Sequence, residues 1–289
     1  MPPKRISLFG IPMFSRGLSS FCCALLLTLA AGCATRPAQD TDLAEDDTPP
    51  RGGTLGPATG VTGTAWAAMS VPAMRAEQKP EDLHWEIFRV PGKQPTSYSY
   101  IQQDGRDAVL AMADASGSIL RHRQRVEPAQ LGRINFSWKV PLTGTGVNQS
   151  LPRLEDVPVR IVLAFEGDRS RFSFKNTMLN ELSLLLTGEE MPFATLIYAW
   201  SRVNKPGEVV INDRTDRIRK LIVDSGDKGF NEWQSYERDV RADYLKAFGE
   251  EPGALLSFAV FTEGERDEGQ LQALYGPVKL QSVVASGGK

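Results

Sequence analysis

The chain has 289 residues, 41% of them hydrophobic and 24% charged, with 33 basic against 35 acidic side chains and a formal net charge of −2. That length accommodates one folded domain plus flanking sequence, and the hydrophobic fraction supports a full core. The near-neutral balance argues against a nucleic-acid binder, which would carry a strongly basic surface.

The chain opens with Lys4, Arg5 and Arg16, followed by an apolar run from Leu18 to Ala31 and then Gly32-Cys33. A positive leader, an apolar core and small residues at the end make a secretory signal. The run is shorter than the roughly 20 residues that span a bilayer. Leu29-Ala30-Ala31-Gly32-Cys33 resembles a bacterial lipoprotein signal, although Ala30 stands where such signals more often have Leu. The resemblance implies removal of residues 1–32 and acylation of Cys33, with the lipid bilayer as partner. Ala34, in place of Asp, implies sorting to the outer membrane on its periplasmic side. Several acyl chains hold firmly, where a single short one gives reversible binding. The alternative is a cut near Ala31 that leaves Cys33 a plain thiol. The cysteines are Cys22, Cys23 and Cys33, so the folded part is expected to carry no thiol chemistry and no Cys-ligated zinc.

From Ala34 to Pro80 the composition shifts to Thr, Ala, Pro, Gly and Asp, including Asp46-Asp47 and Pro49-Pro50. Such a segment buries too little apolar surface to offset its ordering entropy. Residues 33–80 are therefore expected to form an acylated, flexible tether, with a root-mean-square span on the order of 40 Å. Within it Thr64–Met69 is more apolar and is a candidate to dock back on the domain.

One domain is expected over residues 81–286. Alternation with period two predicts strands at Trp85–Val90, Thr96–Ile101, Ala108–Ala113, Ile119–Val126 and Ile134–Val140. Val159–Phe165 is apolar on both faces, as in a central strand. Further strands are predicted at Ala194–Ala199, Glu208–Ile211, Ile218–Val223, Leu255–Thr262 and Leu271–Leu280. Two helices interrupt them. Asn176–Leu186 carries Met178, Leu179, Leu182, Leu185 and Leu186 at helical spacing before a Gly188 cap. Asp239 caps a second helix through Phe248, ended by Gly249. The expected fold is all-β dominated, a β-sandwich or jelly roll with two short covering helices.

Among catalytic signatures, the sequence has no nucleophile elbow, no phosphate loop and no dinucleotide fingerprint, and only two histidines, His84 and His122. Its acidic clusters are Glu155-Asp156 and the run Glu263, Glu265 and Asp267. The second is a candidate Ca²⁺ site, because hard cations take several carboxylate oxygens. Paired carboxylates would also suit glycoside hydrolysis. A solvated acidic turn is the plain alternative, with no cofactor. Trp85, Trp138, Trp200, Trp233, Tyr98, Tyr100, Tyr198 and Tyr275 lie in or beside predicted strands. Most belong in a core. Trp200 and Tyr275, with Tyr198, are the candidates for an open face where rings stack on sugars. Arg121, Arg123 and Arg125 alternate along one strand, and Arg217 and Arg219 belong to a second basic cluster. Guanidinium forks suit carboxylate or phosphate groups.

Several stretches together resemble the exported bacterial family called domain of unknown function 3047. They are Glu155–Asp168, Thr187–Trp200, Arg214–Arg219, Arg238–Tyr244 with Phe248–Pro252, and Leu274–Val278. The resemblance spans nearly all of the domain, and the family's look is similar to jelly-roll carbohydrate-binding modules. It implies a fold, and function does not follow from it. The chain departs from the family at Thr262–Asp267, where Arg266 replaces an expected Asn.

Three functions remain in play. The first is a non-enzymatic, membrane-tethered module that binds an envelope glycan or other polyanion. The second is a glycan-active hydrolase using Glu155, Asp156, Glu263 or Glu265. The third is an assembly lipoprotein that binds another protein. Exposed rings on one face favour the first, convergent carboxylates in a cleft the second, and an apolar surface patch the third.

Overall fold

A computed structural model describes residues 61–70, 84–142, 156–265 and 270–282. Cys33, the leader, most of the tether, Glu155 and Asp267 lie outside the described residues, as does the side chain of Asp156. Gly53–Lys289 belongs to one compact unit.

Among the described residues thirteen strands form two facing sheets. The strands are β1 (Glu86–Arg89), β2 (Ser97–Gln103), β3 (Arg106–Asp114), β4 (Gly117–Val126), β5 (Leu131–Lys139), β6 (Asp156–Phe165), β7 (Ala194–Ser201), β8 (Val209–Ile211), β9 (Ile218–Ser225), β10 (Gln234–Asp239), β11 (Leu255–Glu263), β12 (Gln270–Tyr275) and β13 (Lys279–Ser282). The seven-stranded sheet runs β1-β4-β11-β6-β7-β9-β8, and the six-stranded sheet runs β10-β5-β12-β3-β2 with β13 also on β5. Neighbours are antiparallel except β7 and β9. The chain is a β-sandwich, as the alternation predicts.

Two strands depart from the sequence reading. Leu271–Leu280 is two strands, because Gly276-Pro277 turns the chain beside β5. The Gly276 N–H donates to Ser137 O at 2.9 Å, and a Cβ there would meet Ser137 Oγ at 2.1 Å. β10 is not anticipated. Its six residues include one apolar side chain, Tyr236, and their strand geometry comes from pairing along β5.

The core lies between the sheets. Trp138, Tyr198, Trp200, Tyr275, Phe165, Phe258 and Ile161 are all fully buried there. A hydrogen-bonded lock ties the sheets together at one end. Tyr98 donates to Ser118 O at 2.5 Å, Thr96 to Thr262 O at 2.8 Å, and Thr262 to Pro158 O at 2.9 Å. Each of these three hydroxyls is buried with a partner, which offsets the cost of removing it from water.

The segment expected as tether contributes to this core. Helix α1 (Ala65–Met69) is capped by Thr64 and buries Trp66 against Trp85 at 4.6 Å. Trp85 in turn meets His122 and Phe258, each at 5.5 Å. Ser70 Oγ accepts from the Val278 N–H at 3.0 Å. This corrects the boundary at 81: the described part of the fold begins at Val61.

The other two helices differ. α3 (Val240–Phe248) is capped by Asp239 and buries Val240, Tyr244, Ala247 and Phe248. It covers the sandwich as expected. α2 (Phe174–Thr187) does not: Asn176 is its one buried residue, while Phe174, Met178, Leu182, Leu184, Leu185 and Leu186 are exposed. The polar side of α2 faces the domain. Asn176 donates to Asp216 Oδ1 at 2.7 Å and accepts from Thr215 at 2.7 Å, Asn180 accepts from the Met191 N–H, and Ser183 donates to Glu189 O.

Candidate functional site

The structure first relocates the residues expected to bind a ligand. β7 reads Ala-Thr-Leu-Ile-Tyr-Ala-Trp-Ser, and its large Leu196, Tyr198 and Trp200 point inward while Thr195, Ile197 and Ala199 point out. Trp200 donates to Gly226 O at 3.0 Å and stacks on Phe230 at 4.8 Å. Tyr198 donates to Asp243 Oδ2 at 3.0 Å, and Arg238 clamps the same carboxylate with two hydrogen bonds. Tyr275 accepts from the Arg160 N–H at 3.2 Å and lies 2.8 Å from both Thr262 Oγ1 and Phe261 O. Burial pushes its hydroxyl up to about 12. None of the three rings is open to a ligand, which corrects the expectation of a stacking platform. The apolar volume between the sheets requires the largest side chains.

The expected guanidinium groups are exposed to different degrees and engaged. Arg121 binds Glu189 through two hydrogen bonds of 2.8 and 2.5 Å and Glu86 at 2.6 Å. Arg123 reaches the same two carboxylates, and Arg125 pairs with Glu127 and Glu166. The alternating ladder exists, yet acidic side chains of this chain already fill it. Hydrogen bonding from Arg121 holds Glu189 below the usual carboxylate range. Arg217 binds Glu250 at 3.0 Å and lies over Phe193, while Arg219 donates to Ala247 O at 2.5 Å and lies over Phe248. Both brace α3 to its surroundings.

The acidic turn holds a cation supplied by the chain. Lys93 Nζ lies 2.5 Å from Glu263 Oε1 and 2.5 Å from Glu265 Oε1, with Arg160 Nη1 at 3.4 Å from Glu263 Oε2. Burial alone would lower the Lys93 ammonium, but these carboxylates hold it above its ordinary value. Among the described residues no three His, Cys, Asp or Glu side chains gather as a metal set. Of the three candidate Ca²⁺ residues, Glu263 and Glu265 are thus bridged by Lys93, and Asp267 lies outside the described residues.

What the fold leaves open is the outer face of the six-stranded sheet. Strand register puts Ser99, Leu110, Leu274 and Lys139 in one row, with Ser137 opposite Ser235 and Asn135 opposite both Glu237 and Lys279. A groove of about 400 Å³ runs here, lined by Asn135, Ser137, Ser235, Glu237, Pro277 and Lys279 among others. Asn135 donates to Glu237 Oε2 at 3.0 Å and accepts from Gln281 at 3.0 Å, while Arg133 pairs with Glu237. Trp233 precedes β10, and alternation sets it on the side of Ser235 and Glu237. It is half-buried, donates to Asp104 Oδ2 at 3.2 Å, and lies under Arg106 at 5.4 Å. Lys139 binds the same Asp104 at 2.8 Å. Here a flat ring stands beside amide, hydroxyl, carboxylate and ammonium groups. The sequence signal for Trp233 is its polar setting, Asn231-Glu232-Trp233-Gln234-Ser235.

Among solved structures, one described as "CBM4 structure and function" is 11% identical, with a TM-score of 0.31 over 69% of this chain and 87% of that one. The xyloglucanase domain of NopAA from Sinorhizobium fredii, in complex with cellobiose, is 11% identical, with a TM-score of 0.36 over 69% and 93%. The xylan-binding module CBM86 from Roseburia intestinalis is 10% identical, with a TM-score of 0.23 over 68% and 96%. No curated protein matches the chain. A family model matches residues 83–279, from just before β1 to the start of β13, and the chain belongs to that family, described as Protein of unknown function (DUF3047).

Proposed function

We propose that the chain is an acylated envelope protein, held at the outer membrane through Cys33, whose domain binds a glycan on the open face of the six-stranded sheet. The observation that carries this is a polar groove along β5 and β10 with Trp233 just before β10, beyond the residues that line it. Sugars present hydroxyls to hydrogen-bonding side chains and a flat C–H face to a ring. The groups on this face carry both signs, with Arg106, Arg133, Lys139 and Lys279 beside Asp104 and Glu237. Arg133 pairs with Glu237, Lys139 pairs with Asp104 and Arg106 lies over the Trp233 ring, so the chain itself engages most of these cations, which favours a neutral glycan over a polyanion.

Binding rather than hydrolysis is the better reading. Glycoside hydrolysis at neutral pH needs a carboxylic acid with a raised pKa. Among the described residues, the carboxylates with displaced titration, including Glu86, Glu166, Glu189, Glu237 and Glu250, are all displaced downward. Glu263 and Glu265 share the Lys93 ammonium between them.

The test is a glycan array probed with the unacylated chain from Ala34 onward, beside its Trp233→Ala and Asn135→Ala forms. Binding to neutral glycans is expected, with Trp233→Ala costing about 2 kcal/mol, roughly thirtyfold in affinity. Silence from a folded sample, or binding indifferent to both substitutions, would refute the site.

A further inference from the structure

The exposed stripe on α2 is the second open surface. Phe174, Met178, Leu182 and Leu185 recur at spacings of three and four residues, so they share one side of the helix, with Leu186 beside them. Phe174 is 81% and Leu185 82% exposed, so these side chains stand proud of the surface. The opposite side carries Asn176, Asn180 and Ser183, whose hydrogen bonds fix the helix to the domain. The helix is therefore held by its polar side, with its largely apolar side, on which Lys175 and Glu181 also lie, turned to solvent.

We propose that α2 seats the domain on the lipid bilayer, its apolar stripe lying among the acyl chains at the headgroup boundary. Its size argues for lipid over a protein partner. A helix of 14 residues is about 21 Å long, and a stripe about 10 Å wide offers roughly 200 Å². A stable protein interface buries about 800 Å² on each side. Protruding side chains also need no matching pocket in a fluid bilayer, where such helices sink about 5–10 Å.

Charge fits as well. Arg171 pairs with Glu250 at 2.6 Å, so the cations beside the stripe are Lys175, exposed next to Phe174, and Arg214, exposed on the loop whose Asp213 O accepts from Lys175. Their long stems can lie along the apolar surface while the charged ends meet anionic headgroups.

The proposal rests on the acylated reading of Cys33 for its biological setting. On the tether reading, the 27 residues between Cys33 and Val61 span roughly 30 Å as a coil, which keeps α2 within reach of the bilayer. Such tethering raises the local concentration of a weak contact. α2 is held on the side of the seven-stranded sheet, through Glu189 to Arg121. A domain seated this way turns its six-stranded face away from the membrane.

The experiment is flotation with vesicles of phosphatidylethanolamine and phosphatidylglycerol, using the unacylated chain from Ala34 onward, which keeps the whole compact unit from Gly53. The wild-type chain is expected to float with the vesicles. A Phe174→Ser, Leu185→Ser double variant should lose roughly a hundredfold in partition. Val203→Ser, which alters a 64% exposed apolar residue on another loop, should change nothing. The altered positions are exposed, so folding is retained. Failure of the wild-type chain to float, or flotation indifferent to the double variant, would overturn the proposal. So would self-association in sedimentation that the double variant abolishes, which would assign the stripe to a second copy. Fractionation of the full chain with Cys33→Ala reads the acyl anchor separately, since loss there leaves the result for α2 standing.

Discussion

α2 and α3 look alike in sequence and do opposite things in the fold. Both carry apolar residues at helical spacing, both are capped by a side chain at the start, and both end on a left-handed glycine, Gly188 at φ 73° and Gly249 at φ 72°. α3 turns its apolar side into the sandwich, where Tyr244 packs on Phe165 at 4.7 Å and on Phe248 at 4.5 Å. α2 turns its apolar side out and meets the domain through amides and hydroxyls. Periodicity thus establishes that a helix has an apolar side, and the partner on that side has to be found independently.

The comparison is broken most severely through α3. Tyr244→Ala empties a packed site between the sheets and is expected to cost about 3–5 kcal/mol in urea unfolding. Tyr244→Phe should be close to neutral, because the hydroxyl is buried without a hydrogen-bond partner among the described residues. A small loss for Tyr244→Ala would mean that α3 is as loosely attached as α2.

Acid should separate the two helices. Asp216 holds the start of α2 through Asn176, and Glu189 holds its end through Arg121. Hydrogen bonding from Asn176 holds Asp216 below its ordinary 3.8, and that from Arg121 holds Glu189 below its ordinary 4.5. Both folded values are lowered, so their contribution is complete above about pH 4.5 and is lost as pH falls through the lowered values. Glu250, which braces α3 through Arg217, is lowered as well, but α3 keeps its buried apolar side, so amide exchange in 174–187 should accelerate more on acidification than in 240–248. Acceleration of both together would show one cooperative unit instead.

The sequence carried the scaffold further than the site. Alternation marks β5, whose inward residues are apolar and whose neighbours largely are not, while β6 stands out as a run apolar on both faces. β10 was hidden, since pairing with β5 and not its own composition makes it a strand. Trp200 and Tyr198 were misplaced because β7 is apolar on both faces, and period two then gives two sides without saying which is core. Volume decides it: the side with Leu, Tyr and Trp fills the sandwich, and the side with Thr, Ile and Ala does not. Thr64–Met69 stands out within the polar tether as a segment to dock back, and Trp66 does so against Trp85, since a lone tryptophan among Ala and Met has much apolar surface to bury. Trp233, only half-buried, lies next to the strand least visible in the sequence.

The smallest expected effect is the sharpest. Leu185→Ala on α2 should shift unfolding by no more than about 0.5 kcal/mol, since an 82% exposed leucine gives up little packing when truncated. Alanine also has a slightly higher helix propensity than leucine, which pushes the balance toward zero or a small gain. A core leucine truncated in the same way would lose about 2–5 kcal/mol. Urea midpoints for Leu185→Ala and Tyr244→Ala, measured side by side, should therefore differ by most of that range. If Leu185→Ala costs more than about 1 kcal/mol, the leucine has a partner inside the folded chain, and the apolar side of α2 is not available to lipid. If it costs nothing, folding gains nothing from the Leu185 side chain, and its use lies outside the fold.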